Sequence, residues 1–104
     1  MSKPIRVDAI ARQELTASAR RYEGERSGLG SEFLDAIDEA MTRVARLGPD
    51  CRPAFGVPPE LGVMRVRAKR FPFAVVFIEL PRIIRVIAIM HERRRPGYWQ
   101  DRLK

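Results

Sequence analysis

Residues 71–90 are apolar at nearly every position; past the bend at Pro72, Glu79, Pro81, Arg82 and Arg85 break the run. No other stretch limits the fold so severely. A membrane span needs about 18 or more apolar residues without charge, and these interruptions exclude one. The stretch divides instead into Ala74-Val75-Val76-Phe77-Ile78 and residues 83–90, two strands joined by the turn Glu79-Leu80-Pro81-Arg82. Strands apolar on both sides belong at the centre of a sheet with at least one face covered. Phe71-Pro72-Phe73 bends the chain into the first of them. Just upstream the period is two: Met64, Val66 and Ala68 alternate with Arg65, Arg67 and Lys69. That is a half-buried strand with a cationic outer face.

The cover comes from upstream. Residues 3–7 read as a short strand, with Pro4 suiting a strand start or a sheet edge. Asp8 stands at an N-cap position, its carboxylate able to accept from the free amides of the following turn. Over 9–26, Ala11, Leu15, Ala19 and Tyr22 recur at helical spacing, leaving Glu14, Arg20, Arg21, Glu23 and Arg26 to wetter sides. The three glycines of 24–30 predict a helix stop and a tight connection. A second helix follows over 31–47, with Phe33, Ile37, Ala40, Met41, Val44 and Leu47 on one face. Its acids come early and Arg43 and Arg46 late, as the helix dipole favours. Residues 48–62 are rich in Gly and Pro and predict irregular chain, with a short extended piece around 54–57. The tail from Pro96 predicts a last helical turn. The order is β-α-α-β-β-β: one α+β domain over 1–104, a mostly antiparallel sheet packed against an α-helical hairpin.

Charge is more informative than composition. Residues 1–64 carry 9 Lys and Arg against 10 Asp and Glu, a balance of −1, whereas residues 65–104 carry 11 against 3, a balance of +8. An excess confined to the strand-rich half favours a polyanionic or acidic partner, against the plainer alternative of a solvated basic face. With one Cys and one His there is no disulfide framework and no Cys/His metal cluster, so neither a metal nor a cofactor is expected. The first residues lack the apolar core of a signal peptide, and a cytoplasmic location is expected with no membrane partner.

The candidate site is the basic and aromatic material around the strand ends. Arg65, Arg67 and Lys69 lie two residues apart, which spaces their side chains by about 7 Å, close to the separation of adjacent phosphates on a single strand. His91 closes the last strand, and Arg93, Arg94, Arg95, Tyr98 and Trp99 follow. Arginines neutralise phosphate, an aromatic face stacks on a base, and His91 is the side chain suited to proton exchange near neutral pH. The alternatives are structural, with His91 serving the fold and Trp99 capping the core.

Glu14-Leu15, Tyr22-Glu23, Leu29-Gly30 with Phe33, Phe71-Pro72-Phe73 and, above all, His91-x-Arg93-Arg94-x-Pro96-x-Tyr98-Trp99 resemble the RelE/ParE superfamily of type II toxin–antitoxin toxins. The resemblance is strongest to its plasmid stabilisation branch, related to ParE. It implies a toxin held inactive in a hetero-oligomer with a cognate antitoxin, whose acidic segment would suit the +8 half. Members like ParE poison DNA gyrase by binding it. Members like RelE enter the ribosome and cut mRNA by 2′-hydroxyl attack on the adjacent phosphate. For the latter, Arg65, Arg67, His91, Arg94 and Tyr98 would be the catalytic set. For either target, Arg65, Arg67, Lys69, Arg93, Arg94, Arg95 and Trp99 would be contacts. The spacing from His91 to Tyr98, with Pro96-Gly97 inserted, is longer than the His-Arg-Arg…Tyr pattern of many ribonuclease members. A third possibility is an inactive member that only binds its antitoxin.

Overall fold

The computed structural model describes residues 3–103. Two helices and five strands succeed one another as β1 (Ile5–Val7), α1 (Ala9–Glu25), α2 (Leu29–Arg46), β2 (Arg52–Pro53), β3 (Val63–Arg67), β4 (Phe73–Glu79) and β5 (Ile84–His91). Short 3-10 turns occupy Pro59–Leu61 and Gln100–Leu103. The sheet order is β1-β5-β4-β3-β2, antiparallel throughout except where β1 lies parallel to β5. The apolar hairpin of β4 and β5 thus sits inside the sheet, where its two-sided hydrophobicity requires it to be.

Both faces are covered. On one, α1 and α2 bury Ala11, Phe33, Ile37 and Val44 against Val66, Phe73, Val75, Phe77, Val86 and Ile89. On the other, the irregular chain before β3 and the C-terminal tail bury Ala54 and Trp99 against Val63, Val76, Ile87, Ala88 and Met90. The tail is therefore a second covering layer.

The boundaries depart from the sequence pattern in informative places. Only Gly28 makes the interhelical turn, with φ 89° in the left-handed region, and α2 begins immediately after it at Leu29 rather than at 31. Gly24 stays within α1. Gly30 lies inside α2 because the helices cross closely there: a Cβ would stand 2.6 Å from the Ala19 carbonyl oxygen. Glu23 accepts from the amides of Gly28 at 3.0 Å and Gly30 at 3.0 Å, satisfying free N–H groups at the start of α2. Asp8 is the N-cap residue of α1, but its carboxylate turns to Arg85, with contacts of 2.8 and 3.0 Å, instead of capping the helix. The extended piece expected around 54–57 lies earlier, as β2, with Pro53 at the sheet edge where its missing N–H is tolerated. A two-residue strand is too short to show a period.

Candidate functional site

A β-bulge decides what meets what. Val76 pairs with Ala88, but Phe77 pairs with Val86, so Ile87 is an extra residue in β5. Before the bulge, Ile84 and Val86 face the helices. After it the phase is reversed: Ile87 and Ala88 both face the tail, Ile89 returns to the helices, and Met90 faces the tail. His91 follows Ile89 onto the helix side, where its ring meets Phe73 edge-on at 5.0 Å. Arg65 and Arg67 alternate with Met64, Val66 and Ala68, which pack under the helices, and so point to the tail side. The expected site residues are divided between two faces of the sheet.

On the helix side, a cleft of about 470 Å³ opens between α1 and the end of β5. Glu14, Arg21, Tyr22, Phe73, His91 and Tyr98 line it. His91 Nδ1 accepts the Arg93 amide at 3.0 Å, which leaves Nε2 to carry the proton of the neutral ring. Tyr98 donates its hydroxyl proton to Glu14 Oε2 at 2.5 Å. Glu14 also accepts from both Arg102 terminal nitrogens, at 2.9 and 3.1 Å, and from the Ile89 amide at 3.1 Å. The Ile89 amide needs such a partner because β1 ends opposite Val86 and leaves the β5 edge bare beyond it. Burial above all, and then Glu14, push the Tyr98 hydroxyl well above its ordinary 10.0. The ring of Tyr98 carries the Arg94 guanidinium at 3.9 Å.

On the tail side, a groove of about 360 Å³ runs past Phe55, Arg65, Arg67, Met90, Glu92 and Pro96. Arg65 lies over the Phe55 ring at 4.1 Å, and Arg67 pairs with Glu92. Arg94 lines both openings. Lys69 lies past the end of β3, exposed and 4.0 Å from Glu39. Arg93 and Arg95 are exposed on the turn after β5.

Trp99 corrects an expectation. At 1% exposure it is core under the tail and offers no stacking face, and its indole N–H has no described acceptor. Glu14 is a second correction. Its side chain is 16% exposed, as is that of Arg102, because it ties α1 to the tail rather than facing water. The one sequence signal for that placement is the i, i+3, i+7 spacing of Ala11, Glu14 and Ser18, too weak by itself to turn a charged residue inward; the structure buries both flanking residues. Phe55 had no comparable signal, lying in a Gly/Pro-rich stretch without a period.

Among the described residues no group of three His, Cys, Asp or Glu is placed to hold a metal, and no helix is long and apolar enough to cross a membrane. Burial raises the pKa of the Cys51 thiol, which favours its protonated form.

The chain matches no protein-family model and no curated protein. Among solved structures it is similar to a chain of the chromosomal ParDE TA system from P. aeruginosa, with a TM-score of 0.72 and 22% identity. The match covers 86% of this chain and 96% of that one. The shared property is the fold, the α+β arrangement of ParE and RelE.

Proposed function

We propose that this chain is the toxin of a type II toxin–antitoxin system, that it acts in the cytoplasm by binding DNA gyrase as ParE-like toxins do, and that a cognate antitoxin neutralises it. The fold shared with a ParDE chain supports the toxin reading, together with the C-terminal motif from His91 to Trp99. One observation favours binding over catalysis: the residues an mRNA endonuclease would use are not assembled. His91 lies on the helix face of the sheet, whereas Arg65 and Arg67 lie on the tail face. Tyr98 has committed its proton to Glu14, and its raised pKa disfavours the phenolate a general base would need. The exposed arginines then serve as contacts to a partner surface.

Arg94 supports the RelE-like alternative, because it borders both openings and stands where the two halves of a catalytic set could be joined. The third reading, a member that only binds its antitoxin, predicts no effect on either target.

Purified protein separates the three. Added to DNA gyrase in a supercoiling assay, and separately to ribosomes programmed with mRNA, it is expected to inhibit supercoiling and to leave the mRNA intact. Cut mRNA with undisturbed supercoiling would establish the endonuclease. No effect in either assay would leave antitoxin binding alone.

A further inference from the structure

The helix-side cleft gathers cations without acids. Arg43, Arg67, Arg70, Arg85 and Arg102 each reach a carboxylate. Arg21, Arg93 and Arg94 line the cleft and reach none among the described residues. The Arg94 guanidinium rests on the Tyr98 ring at 3.9 Å, a contact that uses none of its N–H donors. His91 has its Nδ1 occupied by the Arg93 amide, so the neutral ring offers only the Nε2 proton. Two acids also line the cleft. Glu14 is already satisfied by Tyr98, Arg102 and the Ile89 amide, with Arg102 balancing its charge. Glu25 has no described cation and stands near enough to Tyr22 to act on its ionisation. The unused capacity of the cleft is therefore mostly donor and mostly positive.

Its apolar part is continuous. The half-buried Tyr22 ring lies 6.2 Å from Phe73, which in turn meets His91 at 5.0 Å. The walls are also fixed in place, Tyr98 by Glu14 at 2.5 Å and His91 by the Arg93 amide at 3.0 Å. A ligand would not bear the cost of ordering them. The volume, about 470 Å³, is in the range of small-molecule sites.

We propose that this cleft binds a mononucleotide, with its phosphate met by His91 Nε2, Arg93 and Arg94 and its base lying along Tyr22 beside Arg21. A terminal phosphate carries close to two charges and three acceptor oxygens, and arginines grip it through paired N–H groups. That answers a surplus of donors and positive charge better than a carboxylate does, or the singly charged diester of a nucleic-acid strand. The aromatic wall and the Arg21 guanidinium suit a planar base. Glu25 is the free acceptor at that end, so a base with an exocyclic amine fits best. The inference is independent of the toxin reading. It needs no cleavage, and neither Arg65 nor Arg67 takes part.

The chain has a single histidine, so the imidazole signals in a nuclear magnetic resonance spectrum report this cleft directly. The full chain is titrated with adenosine monophosphate, uridine monophosphate, adenosine and inorganic phosphate at constant pH. Adenosine monophosphate is expected to move the His91 signals to saturation, with the other three binding more weakly. Arg21→Gln and Arg94→Gln are each expected to weaken it roughly tenfold, as the loss of a charge-assisted hydrogen bond or stacked cation implies. Arg20→Gln removes the same charge one position along α1, on the groove of its outer face, and leaves binding unchanged. Circular dichroism confirms that each variant is folded. His91 signals that stay in place at millimolar adenosine monophosphate would overturn the proposal. So would phosphate alone binding as tightly, an equal loss in Arg20→Gln, or an oligothymidylate without a terminal phosphate that moves the same signals at lower concentration.

Discussion

Glu14 ties three parts of this molecule together. Its two oxygens accept from Tyr98, Arg102 and the Ile89 amide, so one carboxylate joins α1, the β5 edge and the tail. Glu14→Gln keeps the shape but leaves the Arg102 guanidinium, 16% exposed, without its counter-charge. A cost of about 3 kcal/mol is expected in denaturant unfolding, and a loss of under about 1 kcal/mol would mean that the pair is merely a surface contact. Tyr98 gives a second readout. Both Tyr98 and Tyr22 are raised above 10.0, and for each the largest cause is burial. A tyrosine with a raised folded pKa is stabilised in its neutral form. That contribution is complete below pH 10.0 and is lost as pH rises through the folded value. Ultraviolet titration of the native protein should therefore show no tyrosinate step at the ordinary position. In Glu14→Gln the Tyr98 step should move back towards 10.0 without reaching it, because burial remains. Little of this was legible in sequence. Glu14 looked like a solvated helix residue, since its three partners arrive from up to 88 positions away along the chain. Trp99 looked like part of a working surface because nothing in the tail's pattern revealed that it lies on the sheet.

At the scale of elements, the pattern of the sequence carried further. The alternation over 63–68, the apolar runs of β4 and β5 and the amphipathic face of α2 each appear where periodicity put them. Failures cluster where an element is too short for a period, as in β2, or where one residue changes the phase. The bulge at Ile87 is the costliest failure, because it moves His91 to the opposite face from Arg65 and Arg67. An apolar run reads the same with or without an extra residue. Glycines test the element boundaries directly. Gly24 lies inside α1 with open space around it, so Gly24→Ala should stabilise the protein by about 0.5–1 kcal/mol. Gly56 has a positive φ and backbone pressed against it, so Gly56→Ala should destabilise by about 1–3 kcal/mol and loosen the tail. Thermal unfolding of the two variants should move in opposite directions. Equal shifts of the same sign would contradict the placement of α1 or of the loop–tail contact.

The whole molecule is a sheet between two unlike layers, the helical hairpin on one side and the loop and tail on the other. Its positive excess lies wholly in residues 65–104, so it is carried mainly by the sheet and the tail. The two openings lie on opposite faces of the sheet, with Arg94 lining both. Under the proposed function, the two openings are separate candidate contact surfaces. The fold and the charge asymmetry were legible from the chain, but the separation of the surfaces was not. The most direct test is to induce the protein in a bacterial host without any antitoxin and to pulse-label DNA synthesis and protein synthesis in parallel. If the protein is a gyrase-binding toxin, DNA synthesis stops first, and mRNA stays whole while it does. If protein synthesis stops first with cleaved mRNA, or if neither process stops, the proposed function is wrong.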